Sequence, residues 1–277
     1  MIKAFFVDLD GTLLEKPKGM EPIIPTDNLD ALKKLVASGI RVITASGRDL
    51  EFTKNRINGF YGFDFDAVAS NGAIIYINGV IKENEVEYNI DRLKELSDFL
   101  YGEDEVAFCI VIKDRECRYA HINTLSYIKL KEITKHWSHG IDLDVDDFFL
   151  EGTDKEIYKV CVFSESAETT KKWAKILNKK FNEDFEIFST DWFIIELSPK
   201  NINKGRGLNY ICEYFGYSYD EVAAIGDAEN DISMLEMTQH SYVMASADDD
   251  VKAHANQEVG SVAEAIYDVL RYNEDIS

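Results

Sequence analysis

Short apolar runs that alternate with helix-patterned stretches constrain this chain more than any other feature. Ile2–Val7, Arg41–Thr44 and Ala67–Ser70 are each too short for a helix, and the first two run straight into polar loops. Between them, Thr26 or Asp27 can cap a helix whose apolar face uses Leu29, Leu32, Leu35 and Val36, with Gly39 as its stop. A second helix is expected from Asp49 to Ile57. Ala73–Ile77 and Val80–Lys82 flank Asn78-Gly79, the favoured two-residue hairpin turn. The last third resumes the rhythm, with helices at Lys204–Tyr214, Asp231–Met237 and Val262–Tyr272 and strands at Val222–Ile225 and Tyr242–Met244. Alternation of this kind implies an α/β fold: a mostly parallel, doubly wound sheet covered on both faces, Rossmann-like in plan.

The middle of the chain reads differently. Strand-like runs at Ala107–Ile112, Tyr158–Phe163 and Phe185–Phe188 are interleaved with helical patterns at Asp91–Tyr101 and Ala167–Phe181, an α+β pattern with antiparallel pairing. Roughly 150 residues separate Arg48 from Lys204, against the ~2–6 of a βα loop, so a shared site would require an inserted domain. The expected organisation is a core of residues 1–82 and 197–277 around an α+β insert of residues 83–196.

Composition removes several classes of function. Lys plus Arg is 30 and Asp plus Glu is 51, a formal charge of −21. That field repels phosphate backbones and anionic lipid, so neither nucleic acid nor a membrane is expected as a partner. No apolar stretch approaches the ~20 residues of a membrane span, and Asp8 interrupts the N-terminal apolar run. Cys109, Cys117, Cys161 and Cys212 show no CxxC spacing, which suits free thiols in a reducing cytoplasm. A monomer or weak homo-oligomer is expected.

The residues that could carry chemistry stand just past strands or at helix starts. Asp8-Leu9-Asp10-Gly11-Thr12 follows the first strand, where ligands sit in parallel sheets. One carboxylate can face a metal and act as nucleophile while the other does acid/base work. The bland alternative is an Asp/Gly-rich turn. Thr44-Ala45-Ser46-Gly47-Arg48 can form an anion site from a hydroxyl and backbone N–H groups, or Ser46 can simply cap a helix. Lys204 stands near a helix start, where the dipole disfavours a cation, although most lysines are solvated surface. Gly226-Asp227-Ala228-Glu229-Asn230-Asp231 offers hard oxygen ligands suited to Mg²⁺, or an acidic helix N-terminus. Together these supply what phosphoryl transfer requires: nucleophile, acid/base, metal ligands, and partners for the equatorial oxygens.

The set DLDGT, ASGR, Ser70-Asn71-Gly72-Ala73, NKG and GDAEND-ISML, in this order, resembles the haloacid dehalogenase-superfamily phosphatases, in their Cof-like branch. The branch carries an α/β cap between its second and third motifs (subclass IIB). The motifs span nearly the whole core, while the inserted segment carries little of the likeness. The resemblance implies a Mg²⁺-dependent phosphomonoester hydrolase of a small phosphorylated metabolite, a sugar phosphate or a phosphorylated cofactor or precursor. It implies that Asp8 becomes an aspartyl-phosphate and that Asp10 protonates the leaving alcohol and then activates water. Ser46 and Lys204 match groups that hold phosphoryl oxygens. Asp8, the backbone carbonyl of Asp10, Asp227 and Asp231 match the Mg²⁺ ligands. Gly11, Gly47, Arg48, Asn71, Gly72 and Asn230 match the surroundings of the phosphate or leaving group, and the cap would roof the site and select the substrate. Ser46 stands where many relatives have Thr, and both supply a hydroxyl.

Two other classes remain in view. A phosphotransferase or phosphomutase differs only in whether water reaches the aspartyl-phosphate. A non-enzymatic phosphate- and Mg²⁺-binding module, like a response-regulator receiver, is disfavoured by Asp10 and by the inserted domain. Other motifs are set aside. His136 and His139 lack a third ligand for a metal. The acidic run Asp142–Asp147 lacks the Gly and Glu of a calcium loop and reads as a solvated loop. Gly205-Arg206-Gly207 lacks the third glycine of a dinucleotide site.

Overall fold

The computed structural model describes residues 1–17, 20–84, 87–112, 117–134, 141–151 and 156–276. The chain divides into two compact units, Met1–Glu85 with Asn203–Ser277, and Val86–Ile202.

In the first unit the chain lays down β1 (Ala4–Val7), β2 (Arg41–Ala45), β3 (Asp66–Ala69), β4 (Ile74–Ile77) and β5 (Val80–Asn84). The second unit contributes β6 (Val106–Ile112), β7 (Cys117–Ala120), β8 (Ile141–Asp144), β9 (Ile157–Ser164), β10 (Phe185–Asp191) and β11 (Ile194–Pro199). The chain then returns to the first unit with β12 (Val222–Gly226), β13 (His240–Met244) and β14 (Gln257–Val259). The sheet of the first unit has the order β14-β13-β12-β1-β2-β3-β4-β5. It is parallel from β14 to β3, and β4 and β5 add an antiparallel hairpin at the edge. Asn78 (φ 50°) and Gly79 (φ 80°) both take the positive φ that a type I′ turn demands, so the Asn-Gly signal is realised.

Alternation along β1 sorts the core. Phe5 and Val7 join the layer under the Thr26–Ala37 and Val262–Asp275 helices, with Leu32, Leu35, Ile266 and Val269. Ala4 and Phe6 face the opposite layer, with Leu208, Ile211, Met234 and Leu235. Both faces are therefore covered, as a parallel sheet requires. The Thr26–Ala37 helix is not capped by Thr26 or Asp27. Pro25 holds the cap position without a side-chain bond, its carbonyl accepts the Leu29 N–H at 2.9 Å, and Asp27 sits inside the first turn. Asp49 does cap the next helix, accepting the Phe52 N–H at 2.7 Å, but only Leu50–Phe52 is α-helical and Thr53–Gly59 winds as a π-helix.

The second unit forms a six-stranded sheet, β10-β11-β9-β6-β7-β8, antiparallel except for the parallel β7–β8 pair. The Ile90–Leu100 and Ala167–Phe181 helices pack on one face through Leu93, Leu96, Trp173 and Leu177. β11 pairs with both β9 and β10, and for that reason the unit continues to Ile202. The acidic run expected as a solvated loop is instead β8 followed by the Val145–Glu151 helix. Asp142 is accommodated there because Arg118 (2.7 Å) and Lys131 (3.2 Å) neutralise it. His136 and His139 lie outside the described residues. All four cysteines are free. Among the described residues no helix is long and apolar enough to cross a membrane.

Candidate active site

The site is built on adjacent strand ends of the first unit. β1 pairs with β12, so Val7 and Ile225 lie side by side and the loops that follow both emerge at the same edge. The Asp8 N–H continues the ladder, donating to the Ile225 carbonyl at 3.0 Å. Asp8 is buried here, and Asp227 follows β12 across from it. Gly11 (φ 83°) is forced twice: by its left-handed backbone, and because a Cβ there would lie 2.3 Å from Asp227 Oδ2. Thr12 Oγ1 donates to Asp227 Oδ1 at 2.6 Å, a role that sequence reasoning left unassigned.

Lys204 enters from the first turn of the Lys204–Phe215 helix, which Asn203 caps by accepting the Arg206 N–H. Its side chain is 0% exposed, and Nζ donates to Asp8 Oδ1 and Asp231 Oδ1, each at 2.6 Å. Asp231 is also fully buried. Its other oxygen accepts the N–H groups of Asp227 (2.9 Å) and Ala228 (3.0 Å), which fixes the acidic loop on itself. Gly226 is required beneath it, since a Cβ would stand 2.2 Å from the Asp231 carboxyl carbon.

Oxygen atoms of Asp8, Asp227 and Asp231 lie within 4.8 Å of one another. Three carboxylates face one ammonium, so the cluster carries a surplus of negative charge in a poorly solvated place. Burial pushes the Asp8 carboxyl well above the ordinary range against the pull of Lys204, with Asp231 and Asp227 adding to the rise. Burial, and next the charge of Asp231, push Asp227 up to about 6. Burial alone would lower Lys204; the carboxylates of Asp231 and Asp8 outweigh it and hold the ammonium charged above its usual range. An all-oxygen donor set short of about two positive charges fits a hard divalent cation such as Mg²⁺.

Asp10 stands apart from this trio. Its side chain is 52% exposed and is gripped by Arg48, Nε to Oδ2 at 2.5 Å and a terminal nitrogen to Oδ1 at 2.6 Å. The Arg48 guanidinium lies over the Phe52 ring, 3.9 Å from its centroid. Ser46 is buried at the start of the loop after β2, and its Oγ accepts the Arg48 N–H at 3.1 Å. Gly47 sits between them without a left-handed backbone. The Ser46 carbonyl accepts the Asn71 N–H at 3.0 Å, and Asn71 Oδ1 accepts from Asn230 Nδ2 at 2.9 Å. Gly72 (φ 100°) presses on the loop before Lys204, where a Cβ would meet the Asn203 carbonyl oxygen at 2.1 Å. Hydrogen bonds thus join Asp8, Lys204, Asp231 and Asp227 in one group and Asn230, Asn71 and Ser46 in another. The two meet where Asn230 precedes Asp231 in the chain, with the Asp10–Arg48 pair joined through the Ser46 loop.

Comparison with known proteins gives the family and the fold. A family model described as haloacid dehalogenase-like hydrolase matches residues 5–270. The chain is 26% identical over 268 residues to the 5-amino-6-(5-phospho-D-ribitylamino)uracil phosphatase YwtE of Bacillus subtilis (strain 168), covering 91% of this chain and 90% of that one. A haloacid dehalogenase-like hydrolase structure from B. subtilis superposes with TM-score 0.76 at 22% identity, over 96% of this chain and 99% of the other. The subclass IIB sugar phosphatase BT4131 superposes with TM-score 0.73 at 21% identity, covering 98% and 99%. At these identities the two structures speak for the fold.

Proposed function

Because the chain belongs to the haloacid dehalogenase-like hydrolase family, we propose that it is a Mg²⁺-dependent phosphomonoester hydrolase with Asp8 as nucleophile. One observation carries the reading: Lys204, wholly buried, bonds Asp8 and Asp231 within a cluster of three carboxylates on neighbouring loops. A carboxylate approaching a phosphate dianion meets like-charge repulsion, and Lys204 offsets part of it. Asp8, Asp227, Asp231 and the Asp10 carbonyl are the groups that would hold Mg²⁺. Bound there, the ion would supply Lewis-acid neutralisation of the phosphoryl oxygens.

In the first half-reaction a carboxylate oxygen of Asp8 attacks phosphorus, the bond from phosphorus to the ester oxygen breaks, and Asp10 gives its proton to the departing alkoxide. In the second, Asp10 takes a proton from water, the water oxygen attacks the phosphorus of the aspartyl-phosphate, and Asp8 leaves as carboxylate. Ser46, Lys204 and the backbone around Gly11, Gly47 and Gly72 hold the phosphoryl oxygens, while Arg48, Asn71 and Asn230 contact the phosphate or leaving group. Arg48 pairs both Asp10 oxygens in this structure, so one of those bonds must give way to a proton before Asp10 acts as the acid.

The substrate is a small phosphorylated metabolite, either a sugar phosphate or a phosphorylated cofactor or precursor. A relative that dephosphorylates a phosphoribitylamino-uracil and a sugar phosphatase of the same fold support that class. Selection of the leaving group is assigned to the second unit, Val86–Ile202. The test is phosphate release from a panel of such esters. Release should depend on magnesium, stop with a chelator and fall at least ~10³-fold in Asp8→Asn. Asp8→Asn retaining parental turnover would remove Asp8 from the role, and label from oxygen-18 water missing from the product phosphate would indicate transfer instead of hydrolysis.

A further inference from the structure

Ser70 (φ 50°), Asn71 (φ 54°) and Gly72 (φ 100°) take left-handed backbone conformations in succession. Only the third is glycine, so the first two carry a steric cost that their surroundings must meet. On one side the Ser70 N–H donates to the Arg48 carbonyl at 2.8 Å and the Asn71 N–H to that of Ser46 at 3.0 Å. On the other side the Gly72 carbonyl accepts from an Arg206 terminal nitrogen at 2.9 Å. The second terminal nitrogen of Arg206 reaches Glu83 on β5 at 3.2 Å.

Arg206 sits in the first turn of the Lys204–Phe215 helix, two residues beyond Lys204, where the helix dipole disfavours a cation. Its own N–H donates to Asn203 Oδ1 at 2.9 Å, and Asn203 is the residue whose carbonyl blocks any side chain at Gly72. One helical turn therefore presents Lys204 to Asp8 and also grips the turn that carries Asn71.

We propose that Arg206 is a positioning residue for the phosphoryl site. Its guanidinium bridges the Gly72 carbonyl to the Glu83 carboxylate and holds the Ser70–Gly72 turn in register with Lys204 and Asn230. The fork matters because two donors in fixed geometry can serve a carbonyl and a carboxylate at once, which a lysine's single ammonium centre serves poorly. The proposal rests on the phosphatase reading for its kinetic consequence and stands on geometry alone for the clamp.

The test uses the full chain with p-nitrophenyl phosphate and Mg²⁺, together with hydrogen exchange of the Ser70 and Asn71 amides. Arg206→Met keeps the apolar stem and removes the donors. It should speed exchange at both amides by ~10-fold while the β1 amides stay unchanged, and lower kcat by ~10-fold with KM within ~2-fold. Arg206→Lys should fall between parent and Met, and Glu83→Gln, which still offers an acceptor, should keep kcat within ~2-fold. Parental exchange at Ser70 and Asn71 in Arg206→Met overturns the clamp. Faster exchange with parental kcat overturns the positioning role. A parent that releases no phosphate would instead strike the phosphatase reading, and the exchange rates would still decide whether Arg206 holds the turn.

Discussion

Lys204→Met gives the most informative perturbation of the buried charge cluster. Methionine keeps most of the stem, so packing changes little, but two contacts at 2.6 Å disappear and three carboxylates lose their ammonium partner. Removing one partner from a buried ion pair costs about 3–5 kcal/mol, because the other charge is left uncompensated. Here the protein has an escape: a carboxyl can take up a proton. Asp227 lies near 6, so protonating it at pH 7 costs only ~1.4 kcal/mol, and the loss should fall toward the lower end, ~3 kcal/mol. At pH 5 that proton is already bound, and the loss should be smaller still. The assay is urea unfolding in a chelator, followed by circular dichroism at pH 7 and pH 5, read on the transition of the first unit. With a slope of ~2–3 kcal/mol/M the midpoint should drop by roughly 1–1.5 M at pH 7 without a change of slope. Adding Asp231→Asn to Lys204→Met should cost less than the sum of the two single losses, by ~0.5–3 kcal/mol. A loss under ~1 kcal/mol at pH 7, or one equal at both pH values, would refute the reasoning.

In metal-free parent protein the raised Asp227 keeps a proton that the unfolded chain releases from about pH 4 upward. The native state then binds more protons than the unfolded one, so stability should fall by ~3 kcal/mol as pH rises through about 6. Magnesium should restore more stability at pH 7 than at pH 5, and equal increments at the two pH values would contradict this. Gly11→Ala and Gly39→Ala share nearly the same backbone (φ 83° and 84°), but only the first drives a Cβ into Asp227, while the second points into open space. Gly39→Ala should cost ~1–2 kcal/mol and Gly11→Ala a further ~1–3 kcal/mol in thermal or urea unfolding; equal losses would mean that the loop yields without cost.

Much of the first unit was legible because its signals are local. β1 and β12 are unbroken apolar runs ending in acidic loops, and Asn78-Gly79 names its own turn. The candidate site residues stand out in the sequence for the same reason: each lies near the end of a strand or the start of a helix. Their partners were not, because those contacts join residues far apart in sequence. Nothing near Asp10 announces that Arg48 will grip it, nor does the Thr of DLDGT show that it will bond Asp227. Gly205 and Gly207 read only as an incomplete dinucleotide motif. In the structure a Cβ at Gly205 would strike the Ser233 carbonyl oxygen at 2.4 Å and one at Gly207 would strike Val68 at 2.2 Å, so their smallness serves packing. In the second unit β7, β8 and the Val145–Glu151 helix are short and charged. They lack the periodicity that identifies an element, and pairing across the sheet supplies what local pattern does not.

The claim that Asp8 itself takes the phosphoryl group can be met directly. A turnover mixture with Mg²⁺ and an active phosphoester is quenched in acid, reduced with borohydride, digested and sequenced by mass spectrometry. An acyl-phosphate is reduced where a free carboxylate is not, so homoserine should appear at position 8 in the parent and be absent without substrate. Phosphate release at full rate with unmodified Asp8, or homoserine at another acidic residue, would contradict the account.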